Sequence, residues 1–258
     1  MRHEATEEAR KHAAVKSTTE LIDLSHTVSH GLITYKGLPA PIICDFLSRE
    51  QSKHHYAPGT QFQIGKIELV ANTGTYLDSP FHRYEDGKDL SELELSSLAD
   101  LDGKVLRAKG EAESAKGEEQ RADRQEQSGR SQLERSIDAN ALKGIDVKGR
   151  AVLVHTGWSK HWRTDKYFEG THPFLTKDAA QFLADEHAAL VGIDSYNIDD
   201  TADLSRPAHS ILLGAGIPIV EHMCNLEQLP EVGFRFFAVP VKIKGMGTFP
   251  VRAFAIVE

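Results

Sequence analysis

The chain has 258 residues, 40% hydrophobic and 26% charged, which supports a folded domain with a sizeable core. A net charge of -8 and the lack of any long basic stripe disfavour nucleic acid and anionic membranes as partners, and small-molecule chemistry is the expectation that remains.

The opening MRHEATEEARKHAAVKSTTE is charged throughout, and residues 1–18 read as a polar N-terminal arm preceding a domain over 19–258. This opening lacks the apolar run of a secretory leader, and no later stretch approaches the roughly 20 apolar residues that span a bilayer, so a cytoplasmic location is expected. LIDLSHTVSHGLITYKGLPAP then offers β-prone pieces broken at His30-Gly31, Gly37 and Pro39. In QFQIGKIELVANTGTYLDSP, the residues Phe62, Ile64, Ile67, Leu69 and Ala71 alternate with polar ones apart from a slip at Gly65-Lys66. That pattern predicts a strand with a bulge, whose end runs into a turn centred on Gly74.

SELELSSLADLDGKVLRAKG reads as a short helix or turn leading to a strand. From about 109 to 135 the chain is rich in Glu, Arg, Gln, Ser and Gly, with almost no large apolar residue, and reads as an exposed or disordered insertion of solvated decoration. AVLVHTGW predicts a buried strand. In TKDAAQFLADEHAALVGIDS, Thr176 is a helix N-cap, Ala180, Phe182 and Leu183 form the apolar side, and AALVGID is the next strand. RPAHSILLGAGIPIVEHMCNLEQLP repeats the theme with a short helix after Pro207, a turn at Gly214-Ala215-Gly216 and the apolar run IPIVE. FRFFAVPVKIKGMGTFPVRAFAIVE ends the chain with two β-rich runs separated by KGMGTFP. Strand, helix and strand in this order predict an α/β domain with some parallel pairing.

Several side chains in this frame carry possible chemistry. The stretch NTGTYLDSPFH places Asp78 and His82 across a proline-containing turn that can aim both inward, although Asp78 is also suited to capping that turn. His209 and Glu221 are separated by a short helix and a turn, a spacing that lets two element ends converge. Their alternative is a buried, hydrogen-bonded polar cluster without metal. His26, His30, His54, His55 and His155 read as structural or peripheral, and Cys44 and Cys224, lying in apolar runs, as buried structural thiols.

NTGTYLDSPFH resembles the hallmark H-x-G-T-H-x-D-x-P-x-H of the cyclase-type metal-dependent hydrolases, the family of bacterial kynurenine formamidases and isatin hydrolases, with Gly74, Thr75, Asp78, Pro80 and His82 in register. DLSH at 23–26, TGW at 156–158, HPFL at 172–175, GID at 192–194 and EHMCNL at 221–226 extend the resemblance along most of the chain. The resemblance implies a swivelling β/β/α-type single domain with a mixed sheet and a barrel-like β portion, assembled as a homodimer or homotetramer. It also implies that Asp78, His209 and Glu221 are metal ligands and that His82 is the general acid or base.

Two positions depart from the hallmark, because Asn72 and Tyr76 stand where the family carries histidines. A neutral amide and a phenol are poor substitutes for imidazole toward zinc, while an Asn carbonyl suits a harder ion. The expectation is therefore one divalent ion, Zn²⁺ or Mn²⁺, held by Asp78, His209 and Glu221 with Asn72 beside them. In that scheme Tyr76 donates a hydrogen bond to a developing oxyanion, and Tyr35, Phe81 and Trp158 supply an apolar wall for an aryl formamide or cyclic amide such as N-formylkynurenine. The competing expectations are a non-catalytic small-molecule-binding or assembly protein on the same fold, and a hydrolase for an unrelated lactone or amide.

Overall fold

The computed structural model describes residues 19–108 and 132–257. The expected N-terminal arm and most of the polar insertion lie outside the described residues. The last four positions of the expected insertion, 132–135, are helical and tied to the body. Gln132 donates to Asp200 at 3.0 Å, and Arg135 donates to the carbonyls of Gly170 and His172. At these four positions the expectation of solvated decoration is corrected, because Gln132 and Arg135 are anchors.

The strands in chain order are β1 (Glu20–Asp23), β2 (Ile42–Leu47), β3 (Ile64–Glu68), β4 (Tyr76–Asp78), β5 (Leu101–Arg107), β6 (Ser136–Ile137) and β7 (Ala151–His155). They continue as β8 (Phe174–Leu175), β9 (Leu190–Ile193), β10 (Ile219–Glu221), β11 (Phe234–Phe237), β12 (Thr248–Pro250) and β13 (Phe254–Val257). Nine of them form one mixed, curled sheet in the order β1-β13-β11-β5-β7-β9-β10-β4-β12. The central β5, β7, β9 and β10 run parallel, and both flanks are antiparallel.

Alternation along the central strands builds two cores. In β7, Ala151 and Leu153 face one side with Leu77, Leu190 and Val220, while Val152 and Val154 face the other with Val191, Ile193 and Ile219. A strand buried on both faces reads as a continuous apolar run, as AVLV does. The second face is covered by helices α2 (Lys177–Asp185) and α3 (Pro207–Gly214), which follow the four-residue α1 (Arg49–Ser52). Thr176 caps α2 through the Ala179 N–H, and Ala179, Ala180 and Leu183 are its buried residues, with Phe182 packed at the margin. No helix among the described residues is long and apolar enough to cross a membrane.

Three local expectations are corrected. The alternating run around Ile64 and Ile67 is a strand as expected, but it ends at Glu68 rather than running into the Gly74 turn, and β3 pairs with β2 as a separate ribbon, with Ile42, Ile43, Phe46, Ile64 and Ile67 all exposed. Its register irregularity falls between Asp45 and Leu47, on the strand facing the Gly65 slip. KGMGTFP is not merely a connector, because Thr248–Pro250 is the edge strand β12, paired to β4. Cys44 lies on the ribbon and is exposed, whereas Cys224 is buried as expected.

Candidate active site

Tyr76 and Asp78 do not lie in a turn. They occupy alternate positions of β4 and so project from one face of the sheet. The antiparallel register sets Tyr76 opposite Glu221 of β10, and Asp78 opposite Thr248 of β12. Directly opposed residues share a face, so the three short strands present Tyr76, Asp78, Glu221 and Thr248 together. The turn before β4 is centred on Gly74 as expected, with φ at +66° and its N–H donated to Thr34 Oγ1 at 2.8 Å.

After β4 the chain passes through a short 3-10 turn, Pro80–His82, which turns His82 back toward Asp78. The packing here is close: a Cβ on Gly247 would sit 2.4 Å from the backbone nitrogen of His82 and 2.5 Å from its Cα. Gly247 also accepts the Ser79 N–H at 2.7 Å. Gly247→Ala is expected to push β12 away from this turn, costing roughly 1–3 kcal/mol of stability. A urea midpoint unchanged from the parent would refute it.

His209 sits in the first turn of α3, where Pro207 occupies the first helical position. The helix start is capped from a distance by Asp199, whose carboxylate accepts the Ala208 N–H at 2.6 Å and the His209 N–H at 3.1 Å. The same carboxylate holds His209 Nδ1 at 2.6 Å. The remaining ring nitrogen, Nε2, lies 3.7 Å from Asp78 Oδ2 and 3.8 Å from Glu221 Oε1. Burial would lower the His209 pKa, but Glu221, Asp199 and Asp78 overcome it and push it up to about 10.

Glu221 is fully buried and held from several sides. Its Oε1 accepts the Ile198 N–H at 2.7 Å, and its Oε2 accepts the hydroxyls of Tyr76 at 2.5 Å and Tyr35 at 3.3 Å. Burial pushes the Glu221 carboxyl up, against the pull of His209 and these donors. The proton of Tyr76, expected on an oxyanion, is thus donated to Glu221. Burial and the Glu221 charge keep that phenol well above its ordinary range, so it stays a neutral donor.

A cavity of about 360 Å³ opens over this cluster, lined among others by Tyr35, Asn72, Tyr76, His82, His209 and Glu221. That size admits a small aromatic molecule. Of the three aromatics expected as its wall, Tyr35 lines it, while Trp158 is buried elsewhere with its Nε1 toward the Tyr167 carbonyl and Phe81 is not among the lining residues. Thr248, Asp199 and Asn197, which the sequence reading passed over, complete the hydrogen bonding around the site.

The donor set can be tested against a divalent ion. Asp78 is fully buried, its Oδ1 accepts the Thr248 hydroxyl, and its Oδ2 has no hydrogen-bond partner among the described residues. A buried, unsatisfied carboxylate oxygen is costly unless a cation meets it. Asp78, His82 and His209 each offer a ligand atom within 4.8 Å of the others, and Glu221 adjoins His209. These residues fit one cation of the imidazole- and carboxylate-binding type. Asn72 lines the cavity above them.

Comparison with known proteins agrees with this geometry. The family model "Putative cyclase" matches residues 22–200. The chain is 27% identical over 238 residues to the kynurenine formamidase of Bacillus cereus, covering 92% of this chain and 97% of that protein. The kynurenine formamidase of Bacillus anthracis is 26% identical over 241 residues, with coverage of 92% and 97%. Among solved structures, isatin hydrolase A from Ralstonia solanacearum superposes with a TM-score of 0.71 at 21% identity, over the whole of both chains. A protein described as a potential metal-dependent hydrolase with cyclase activity gives a TM-score of 0.68 at 23% identity, over 93% of this chain and 98% of its own. At these identities the structural likenesses establish the fold.

Proposed function

The chain belongs to the cyclase family, whose model covers residues 22–200 of its 258, and from that membership we propose that it is a metal-dependent amide hydrolase acting on aryl formamides or related cyclic amides. N-formylkynurenine is the reference substrate, in line with the curated relatives named kynurenine formamidase. The observation that carries the reading is the buried Asp78 Oδ2, without a hydrogen-bond partner among the described residues and facing His209 beneath a cavity of aryl-amide size. We assign one divalent ion, Zn²⁺ or Mn²⁺, to Asp78, His209 and Glu221, with the Asn72 carbonyl available from the cavity wall. When bound, such an ion polarises a carbonyl and lowers the pKa of a water.

The chain's own residues account for orientation and proton movement. His82 lines the cavity beside Asp78, where it takes the proton of the attacking water and returns it to the departing nitrogen. The C–N bond breaks, and formate and the free aryl amine leave. Tyr76 and Tyr35 hold Glu221 in place through their hydroxyls, and Tyr35 also faces the ring of the substrate. Arg83 and Arg206 line the same cavity, a charge arrangement suited to an aryl amide that bears a carboxylate.

A second reading has one observation in its favour. His209 as an imidazolium already places a cation among Asp78, Asp199 and Glu221, so part of the cluster's negative charge is met without metal, as a non-catalytic binding protein requires. Metal analysis of full-length protein purified without chelator separates the two. The hydrolase reading expects close to one equivalent of a divalent ion after supplementation, turnover of N-formylkynurenine, and at least a roughly 100-fold loss of turnover in His82→Ala. Less than about 0.2 equivalents of any divalent ion would sink it.

A further inference from the structure

We propose that Thr248 is the positioning residue that fixes the tautomer of His82, holding the proton on Nδ1 so that Nε2 offers its lone pair to the cavity. The proposal deepens the hydrolase reading, since it rests on His82 as the proton-transfer group.

The hydrogen bonds leave little choice. Thr248 is 3% exposed, and the β4–β12 register sets it directly opposite Asp78. Its hydroxyl lies against Asp78 Oδ1 on one side and 2.8 Å from His82 Nδ1 on the other. Asp78 Oδ1 and His82 Nδ1 are themselves 3.8 Å apart, too far for a hydrogen bond, so the hydroxyl is their link. A threonine hydroxyl carries one proton, and an ionised carboxylate can only accept. The proton of Thr248 therefore goes to Asp78, and Thr248 Oγ1 must accept from His82, which requires a proton on Nδ1. The other ring nitrogen is then the basic one, and His82 lines the cavity.

The linkage also divides the work of Asp78. Oδ1 anchors the histidine through Thr248, while Oδ2, 3.7 Å from His209 Nε2, has no hydrogen-bond partner among the described residues. A carboxylate that orients a histidine through its far nitrogen is a common supporting arrangement, and here a β-branched hydroxyl with restricted rotamers stands between the two. The close approach of Gly247 to the His82 backbone keeps the hydroxyl within reach.

The test begins with the parent protein. In a long-range ¹H–¹⁵N correlation spectrum of the full-length chain, recorded at about pH 8.5 and so above the ordinary imidazole range, His82 is expected to show the Nδ1–H pattern. It should do so both as purified and after chelation, with the signal assigned by its absence in His82→Asn. Thr248→Val should lose the single-tautomer pattern and lower kcat roughly 10- to 100-fold with little change in KM, and Thr248→Ser should restore both. An Nε2–H pattern in the parent would overturn the proposal, as would a Val variant that keeps both the Nδ1–H signal and full turnover. If Thr248→Val fails to fold, the parent spectrum and the Ser variant decide the matter. If no aryl formamide is turned over, the hydrolase reading fails while the spectrum still decides the tautomer.

Discussion

Asp78→Asn is expected to abolish stoichiometric binding of a divalent ion and to lower turnover of an aryl formamide by more than the roughly 100-fold that loss of a metal's outer-shell partner costs. The substitution preserves shape. An amide at this position can still accept the Thr248 hydroxyl through its oxygen, so β4 and β12 have no steric reason to part. What disappears is the charge and the second carboxylate oxygen, the one that has no hydrogen-bond partner among the described residues and lies 3.7 Å from His209.

The metal-free stability of the same variant provides a control on this reasoning. Asp78, Asp199 and Glu221 surround a single imidazole in a buried site, and Asp78 adds to the upward push on the Glu221 carboxyl. Removing one of three carboxylates around a single imidazole relieves the like-charge repulsion between Asp78 and Glu221, which offsets the lost attraction to His209. In chelator, Asp78→Asn should therefore unfold within about 1 kcal/mol of the parent or above it, about the worth of one pKa unit. A variant that loses activity together with several kcal/mol of metal-free stability would point to a structural role for Asp78. One that retains stoichiometric metal would remove it from the ligand set.

How much of this site was legible in the sequence depends on which distances the chain itself sets. Tyr76 and Asp78 are two apart and share a strand face, and His82 follows within one tight turn, so the local group is written in eleven consecutive residues. For His209 and Glu221 the helix and turn between them only permit convergence, and it is the family resemblance that singles the pair out. Thr248 lies 170 residues from Asp78, and only the β4–β12 register brings them together. Its strand is three residues long, preceded by Gly247 and ending in Pro250, and carries no alternation to announce it. Asp199 was hidden differently, since it caps α3 from outside the usual position, which Arg206 fills in the left-handed conformation at φ +48°. The ribbon β2–β3 is a different case, since the alternation predicts the strand and leaves its burial open, and Ile64 and Ile67 are exposed. Alternation reports that two faces differ, not that either is covered.

A second large effect is expected from acid rather than from substitution: folding stability should fall as pH drops from about 6.5 to 4. His172 is fully buried, with Nε2 donating to the Asp199 carbonyl at 2.9 Å and Nδ1 without a hydrogen-bond partner among the described residues. Burial lowers its pKa to about 4, the Asp199 hydrogen bond opposing and the Arg135 charge adding to the effect. His26 stacks on Trp162 at 4.1 Å, its Nε2 is buried and likewise without a hydrogen-bond partner among the described residues, and burial, then Arg163, lowers it to about 4 as well.

In the unfolded chain both imidazoles protonate near their ordinary value of about 6.5. Between that value and 4 the unfolded state binds more protons, so stability rises with pH and is lost as pH falls through this window. Each histidine contributes a loss on the order of 3 kcal/mol at pH 4, and the two together approach the whole stability of an ordinary domain. Carboxylates held below their usual range, such as Asp178 beside Thr176, give up their contribution at lower pH and do not produce this step. Urea unfolding in chelator across the window measures the effect, and His172→Gln, whose side-chain amide can still donate to the Asp199 carbonyl but cannot take up a proton, should remove only its own share of the slope, because His26 and the fully buried His222, whose pKa burial lowers well below its ordinary value, supply the rest. A parent whose unfolding free energy is the same at both ends of the window, or a His172→Gln variant with the full parent slope, would show that these buried imidazoles do not set the acid limit of the fold.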